Sequence, residues 1–363
     1  MKRIPGMNTA APHIHDWHTT SKAAWSCSAT LLPIVLVSVL LYGMPAVTVW
    51  LASLLGVVFA ETLAAVAIKR LSFSDGSAVL TSLLIACALP PGVPLYIPVS
   101  ASLFAILGIK TIFGGLGSNW MNPALGGIAF AYANWPNAMR QFMVPAGMST
   151  IDGLSAVTPM DIARTYTGVE TSRVMDAFRN SGYPLSSIDI TVTGFLNDSI
   201  FSHLGSRLPE GYIDLIIGLK PGTLGESALL AVLFGSIVLL AFRLIKLEIP
   251  LGMIVAFSLL NRVFGTGLPG EVLFGGDLLF ALSSGGFMLA TFYMATDPVT
   301  SPVDHRLAGL YGGGIGILAF VFRRWGAQSE GIVYAILIMN ILVPTVERTF
   351  MPRMKSSMKA AGL

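Results

Sequence analysis

Acidic side chains occur inside, or at the ends of, long apolar stretches of this chain. Glu61 lies in the apolar run that ends at Ile68. If the run is helical, seven residues at about 1.5 Å each place Glu61 about 10 Å inside it. A carboxylate there could face a partner, a cavity or an ion path. It could equally be an interfacial glutamate that extends toward the nearer water surface.

Other acidic residues stand where apolar runs begin or end. Asp297 ends one run beside Pro298, where free backbone carbonyls could bind a cation or where the pair could simply form a helix-end turn. Asp75 precedes an earlier run as the counterpart of Asp297, and Asp277 opens another run. Both are suited to capping a helix. Asp75, Asp297 and Glu61 are therefore the candidates for an ion path.

Polar residues also precede two further apolar runs. Glu226 and Ser227 precede a run in which the backbone amides of the first helical turn could attract an anion. Plain capping of that helix is an equal alternative. Asn119 and Asn122 either satisfy backbone groups where a helix begins or hydrogen-bond a bound ring.

The composition indicates the kind of protein that holds these residues. The chain has 363 residues, of which 54% are hydrophobic and 11% charged, and its mean hydropathy is +0.73. Soluble domains have about 25% charged residues, so a soluble multidomain enzyme, a disordered chain and a nucleic-acid binder are excluded. Two cysteines cannot build a four-cysteine cluster. His13, His15 and His18 lack a fixed scaffold, and no metal site is assigned.

The apolar runs predict an all-α polytopic membrane protein in the lipid bilayer. A crossing needs roughly 20 mostly apolar residues, and the chain has about ten such runs, some of them short. Together they predict two inverted five-helix repeats with an extracytoplasmic insertion between them. The predicted crossings are 24–42, 46–68, 76–89, 98–113, 122–135, 227–245, 250–264, 277–296, 307–322 and 331–346.

Basic residues in short flanks predict the orientation, because they favour the cytoplasmic side. They place both termini in the cytoplasm, and Lys110 supports an inside turn. Arg323 and Arg324 fall outside and are the exception. The predicted regions are a cytoplasmic tail (1–23), a first membrane half (24–136), an extracytoplasmic segment (137–226), a second half (227–346) and a cytoplasmic tail (347–363).

A duplication is suggested by two short runs that each end at proline. Asp75-Gly76 leads to Pro90-Pro91, and Gly285-Gly286 leads to Asp297-Pro298. Five crossings in each half would give the halves opposite orientation. Inverted repeats with broken helices place a binding site near the mid-plane, between the halves. The alternative is that glycine and proline are simply common in membrane helices.

The extracytoplasmic segment contains the sequence Asp152-Gly153-Leu154-Ser155-Ala156-Val157-Thr158-Pro159. It resembles the flavinylation motif of redox-driven ion pumps, in which a transferase joins FMN to a threonine hydroxyl. Thr158 matches the acceptor, which must be exposed, and Ser155 matches the leading serine. Ala156-Val157 departs from the usual Gly-Ala of the motif. By itself, Ser-x-x-Thr is most often a turn or a helix cap.

Five further blocks resemble the D subunits of Rnf electron-transport complexes (ferredoxin:NAD oxidoreductases) and the related B subunits of sodium-translocating NADH:quinone reductases. The resemblance covers almost the whole chain, in the family's order, and the length is closer to the Rnf subunit. The blocks are Pro12–His15, Ser74–Pro91, Asn119–Ala124, Pro221–Ser227 and Met294–Thr300.

This resemblance implies a membrane subunit of a Na⁺- or H⁺-pumping complex in a bacterial inner membrane. It implies covalent FMN on Thr158, with Asp152, Gly153 and Ser155 in the attachment motif. A second, non-covalent flavin, riboflavin, would lie near Asn119, Asn122, Glu226 or Ser227. The implied partners are a flavin transferase and the A, B, C, E and G subunits of the Rnf type, notably the flavoprotein G subunit.

The chain by itself is not expected to complete the reaction. No G-x-G-x-x-G follows a soluble strand, and iron–sulfur ligands are lacking, so NAD and ferredoxin would bind partner subunits. Two alternatives stay open. One is the B-type subunit of a NADH:quinone reductase. The other is a non-redox channel of the urea or ammonium type, which an inverted repeat with broken helices would also suit.

Overall fold

A computed structural model describes residues 20–68, 75–115, 117–146, 157–165, 175, 185–265, 274–326 and 331–360. All the regular elements in these residues are helices, as the sequence predicts. Three of them are long and apolar enough to cross a membrane, namely Ser21–Tyr42, Met44–Ala67 and His305–Trp325. The protein is therefore an all-helical membrane protein.

The first two long helices form a hairpin. Helix α1 (Thr20–Tyr42) and helix α2 (Met44–Ile68) are separated by Gly43 alone, whose φ of 64° lies in the left-handed region that glycine adopts without strain. Apolar side chains such as Leu36 and Leu40 point away from the protein. A helix that is apolar on all sides has its outward face suited to lipid.

The remaining helices of the first half are shorter. Helix α3 (Ser77–Cys87) begins after Gly76 and is followed by Pro90-Pro91. Helix α4 (Tyr96–Leu103) continues as a π-helix (Phe104–Thr111), and helix α5 is Pro123–Asn134. α3 and α5 are too short to span about 30 Å of hydrocarbon at about 1.5 Å per residue.

In its described residues, the segment between the halves carries three short α-helices, α6 (Pro159–Thr165), α7 (Ser187–Leu196) and α8 (Tyr212–Ile217). Asp189 of α7 accepts backbone N–H bonds from Gly211, Ile213 and Asp214 and so joins α7 to α8. Burial raises the pKa of Asp214 above its ordinary value, while hydrogen bonds from Ser186 oppose that rise. Buried hydrogen bonds within the segment therefore hold α7 and α8 together.

The second half repeats the mixture of long and interrupted helices. Helix α11 (Leu278–Ser283) is followed, after a break, by helix α12 (Phe287–Leu289), which continues as a π-helix (Ala290–Met294). The predicted crossing 277–296 is therefore broken. The largest apolar cluster of the described residues contains side chains from both halves. The helices of this half are α9 (Leu229–Ala241), α10 (Glu248–Phe264), α11 (Leu278–Ser283), α12 (Phe287–Leu289), α13 (His305–Trp325) and α14 (Ile332–Ala360).

Glycines allow α10 and α13 to approach closely. A Cβ on Gly312 would lie 2.3 Å from the carbonyl oxygen of Ile249, and one on Gly316 would lie 2.5 Å from that of Met253. Small residues at a helix contact are the usual device for close packing in membranes. Gly313, on the same helix, has no atom within 4 Å of such a Cβ.

We expect Gly312→Ala to destabilise the protein by about 1–3 kcal/mol, because the methyl group would press on backbone that cannot move aside. Gly313→Ala is the matched control and should be neutral or stabilising by up to about 1 kcal/mol, because alanine favours helix. Thermal unfolding of both variants in detergent checks this. Equal melting temperatures would mean that the α10–α13 contact is looser than described.

Candidate functional site

A cleft opens between the two halves and receives residues from both. It is lined by the start of α1, by α3, and by the π-helices Phe104–Thr111 and Ala290–Met294 with the segments that follow them. Its empty space is about 840 Å³ when the open mouth is included. Phe292 and Tyr293 of the second π-helix supply aromatic surface. Its polar lining includes Lys110, Asn119, Asn122, Thr296 and Asp297.

Lys110 lies inside the protein at the edge of this cleft. Its Nζ atom is 2.5 Å from Glu61 Oε1 and donates to Ser77 Oγ at 2.8 Å. Both charged side chains are about 95% buried. A carboxylate buried in an apolar environment requires a counter-charge, and Lys110 supplies it for Glu61. Glu61 therefore faces a partner and does not extend to the surface. The cytoplasmic turn beside Lys110 stays a prediction.

Asp75 supports this pair from the start of α3. One of its carboxylate oxygens accepts hydrogen bonds from Ser77 N at 2.9 Å and from Ser77 Oγ at 2.7 Å. Ser77 Oγ in turn accepts from Lys110. A chain of polar contacts thus runs from Asp75 through Ser77 and Lys110 to Glu61, along one wall of the cleft.

The two asparagines have different environments. Asn122 Oδ1 caps α5 by accepting from Ala124 N at 2.9 Å, and its Nδ2 donates to the carbonyl of Met294 at 3.3 Å. It therefore connects the two halves. Asn119 is only 7% exposed, and its Oδ1 atom has no hydrogen-bond partner among the described residues. A buried acceptor of this kind is unfavourable unless a ligand or water completes it.

Asp297 lines the cleft from the second half, three residues after the end of the π-helix Ala290–Met294. It accepts bonds from Val299 N at 3.2 Å and Thr300 Oγ1 at 3.1 Å, as a helix-end turn would require. The cleft therefore brings together Asn119, Asn122 and Asp297. Asp75 and Glu61 do not line it, but they contact Ser77 and Lys110, which do.

Glu226 and Ser227 belong to a separate buried network. Glu226 Oε1 is 3.2 Å from Lys220 Nζ and accepts from Gly285 N at 2.6 Å, at the break between α11 and α12. Ser227 Oγ is 2.5 Å from Tyr42 Oη. Neither residue lines the cleft, so the structure does not bring them to Asn119 and Asn122.

Two basic residues, one before the second half and one within it, were not recognised from the sequence as interior groups. Lys220 is fully buried and also donates to the carbonyl of Ser283. Arg323 donates to the carbonyls of Ala281 and Ser284, and its guanidinium is 4.8 Å from the ring centre of Phe257. Arg323 is therefore an interior residue. Arg324 is only partly buried and donates to the carbonyl of Phe264, so it remains an exception to the charge pattern. The one feature of the sequence that could have indicated Lys220 and Arg323 as interior residues is that each is a basic residue close to an apolar run.

Thr158 is at the start of α6. Its Oγ1 donates to Asp161 Oδ2 at 2.8 Å and accepts from Asp161 N at 3.2 Å, and only 4% of the residue is exposed. The expectation of an exposed hydroxyl is therefore wrong. Thr158 caps α6, and this short helix packs through Met160 and Ala163 into an apolar cluster. Asp152, Gly153 and Ser155 lie outside the described residues, as do His13, His15 and His18.

The chain is similar to a known family over nearly its whole length. The family model described as "NQR2, RnfD, RnfE family" matches residues 7–356. The D subunit of an ion-translocating oxidoreductase complex from Stutzerimonas stutzeri is 33% identical over 89% of this chain and 88% of its own length. The D subunit of a Na⁺-translocating ferredoxin:NAD⁺ oxidoreductase complex from Acetobacterium woodii is 30% identical over 94% and 92%.

A third relative is named for a different ion. It is the D subunit of a proton-translocating ferredoxin:NAD⁺ oxidoreductase complex from Clostridium ljungdahlii, 29% identical over 95% of this chain and 94% of its own length. Proteins with either ion in their names are therefore similar to this chain.

Proposed function

The chain belongs to the NQR2, RnfD and RnfE family and is a membrane subunit of an ion-translocating oxidoreductase complex, and we propose that it relays electrons through bound flavins. In this proposal the complex couples ferredoxin and NAD to movement of Na⁺ or H⁺. The chain works beside the A, B, C, E and G subunits of the Rnf type, and receives electrons from the flavoprotein G subunit.

The observation that carries the proposal is the unpartnered Asn119 Oδ1 in the cleft between the halves, which has no hydrogen-bond partner within the described part of the chain. The ring system of a flavin has an N–H donor beside carbonyl acceptors, within a large flat apolar body. Asn119 would accept that N–H bond, and Phe292 and Tyr293 offer aromatic surface for the ring. The residues present therefore suit a non-covalent flavin such as riboflavin. A bound flavin would supply one- and two-electron chemistry, and the protein would set its position and potential.

The second flavin in the proposal is FMN joined to Thr158 by a dedicated transferase. The Thr158 hydroxyl is already hydrogen-bonded to a carboxylate, which suits a nucleophile. Because that hydroxyl is buried, attachment takes place when the first turn of α6 is displaced. Asp152, Gly153 and Ser155 would complete the attachment motif.

Ion movement would use the acidic groups around the cleft. Glu61 and Lys110 form a buried pair that a change of charge in the cleft would disturb, because Coulomb interactions are strong where water is excluded. Asp75 is connected to the pair through Ser77, and Asp297 lines the cleft from the second half. These three carboxylates are the proposed ion path.

The proposed architecture is ten membrane segments in two inverted repeats in a bacterial inner membrane, with both termini in the cytoplasm. Among these segments, α3 and α5 are too short to cross the hydrocarbon as helices alone, so non-helical backbone that is buried in the protein would complete them.

Three similarities between the halves support the repeat. In each half a helix packs on a second helix that has a basic residue near its end. In the first half, α2 packs on the π-helix that contains Lys110, and in the second half α10 packs on α13, which contains Arg323. Each half has a short helix after a glycine, α3 and α12. Each half also has a π-helix beside the cleft, as functional sites often do.

The test of the flavin cleft uses Asn119→Leu with Asn134→Leu as the matched control. Leucine has a similar size but cannot accept a hydrogen bond, so we expect non-covalent flavin to bind roughly 10- to 100-fold more weakly, the equivalent of one buried hydrogen bond. Asn134 is exposed and should be neutral. Flavin released from purified protein by acid and measured by fluorescence is the readout. Unchanged content in Asn119→Leu would exclude the cleft as the site.

The competing functions predict other results. A channel of the urea or ammonium type would bind no flavin and would pass solute in vesicles that contain the chain alone. A B-type subunit of a quinone reductase would require quinone reduction by the assembled complex.

A further inference from the structure

The proposed acceptor hydroxyl of Thr158 is paired with a carboxylate three residues along the chain. Asp161 N–H donates to Thr158 Oγ1 at 3.2 Å, which is the ordinary capping bond and uses a lone pair of the hydroxyl oxygen. Thr158 Oγ1 also donates to Asp161 Oδ2 at 2.8 Å. Capping does not require this second bond, which aims the hydroxyl proton at the carboxylate. A hydroxyl within hydrogen-bond reach of a base is the arrangement of an activated nucleophile.

We propose that Asp161 orients the Thr158 hydroxyl and accepts its proton during flavin attachment, an inference that rests on the proposed function. In this step Thr158 Oγ1 attacks the FMN phosphorus of FAD held by the transferase. The Oγ1–phosphorus bond forms, the bond from that phosphorus to the AMP oxygen breaks, and AMP leaves with the electron pair. The hydroxyl proton passes to Asp161, and no group is oxidised or reduced.

The burial of Thr158 is compatible with this role because both residues share one helical turn. Met160 and Ala163, on the same short helix, pack in an apolar cluster with Tyr212 and Phe280. The first turn of α6 must leave this cluster before a transferase can reach Oγ1. Asp161 moves with Thr158, so the base accompanies the nucleophile.

Attachment of FMN would also change how the first turn of α6 packs. Thr158 Oγ1 then has no proton to donate, and the phosphodiester carries a negative charge beside the carboxylate. Like charges at this distance repel, so the turn cannot close as it does in the unmodified chain. The modified segment therefore presents its flavin away from the apolar cluster.

The experiment co-produces the full chain with an FAD:protein FMN transferase and measures the initial rate at which the Thr158 peptide gains FMN, by mass spectrometry. Asp161→Asn keeps an acceptor oxygen for the hydroxyl but is no base, and we expect its rate to fall about 100-fold. Asp161→Glu restores a carboxylate and should recover much of the rate. Asp198→Asn removes an exposed charge from the same segment and is the control.

The outcomes separate the base from the cap. If Asp161→Asn gains FMN at the wild-type rate and only Asp161→Ala is slow, Asp161 is a cap and the inference is overturned. Thermal unfolding of Asp161→Asn should match the wild type, which excludes misfolding as the cause of a slow rate. If the wild type itself gains no FMN, the proposed function fails before this inference is reached.

Discussion

Thr158→Ala is expected to abolish covalent flavin completely, because alanine has no oxygen with which to form the phosphodiester. In-gel flavin fluorescence after denaturation, on protein produced with its transferase, should show a band for the wild type and none for the variant. Mass spectrometry of the Thr158 peptide should show the added mass of FMN less water in the wild type. The lost helix cap costs only about 1 kcal/mol, so the variant should still fold.

The control for this result is Thr191→Ala, which removes an exposed threonine hydroxyl from α7 in the same segment. It should retain the fluorescent band at full intensity. Thr158→Ser retains a hydroxyl and should be labelled at a reduced rate. A band that persists in Thr158→Ala would show that another residue holds the flavin and would remove Thr158 from the proposed relay.

Lys110→Met is expected to have the largest effect on stability. It leaves Glu61 charged and uncompensated in an apolar interior, which destabilises a protein by about 3–5 kcal/mol. The double variant Glu61→Gln with Lys110→Met should recover much of that loss, because it removes both charges together. Unfolding of the purified chain in detergent, compared as a double-variant cycle, gives the coupling between the two side chains.

A lysine near the start of α1 supplies the control for this charge removal. Lys22→Met should change stability by less than about 1 kcal/mol, because the side chain is not enclosed in the interior. If Lys110→Met also unfolds like the wild type, the pair does not hold the fold together. Ion uptake by vesicles with the assembled complex should then be compared, since loss of uptake without loss of stability would assign Glu61 to the ion path alone.

Hydrophobic runs were sufficient to locate the helices of the two halves, but not the short helices α6, α7 and α8 between them. A long apolar stretch in a membrane must satisfy its own backbone hydrogen bonds, and a helix does this without distant partners. Gly43 between α1 and α2 and the prolines after α3 limit the helices by local geometry alone. Helix positions are therefore a local property of the chain, which is why each predicted crossing overlaps a helix.

The basic residues show where local reasoning fails. Lys110 looks like a cytoplasmic flank, yet its partner Glu61 is 49 residues away along the chain. Lys220 and Arg323 pair with groups across the break between α11 and α12. A buried charge is stable only when a specific partner meets it, and that partner cannot be read from neighbouring residues.

Two asparagines and one threonine show most clearly which properties depend on local sequence and which depend on tertiary packing. Local sequence is enough to predict that Asn119, Asn122 and Thr158 stand at the ends of elements, because capping depends on neighbouring backbone. The packing of distant segments was needed for the rest. Asn122 reaches Met294 in the other half, and Asn119 keeps an acceptor without a partner among the described residues. Thr158 is buried on a short helix whose apolar side chains pack against Tyr212 and Phe280. The reason is that propensity and polarity act over a few residues, whereas burial and pairing depend on which distant segments fold against one another.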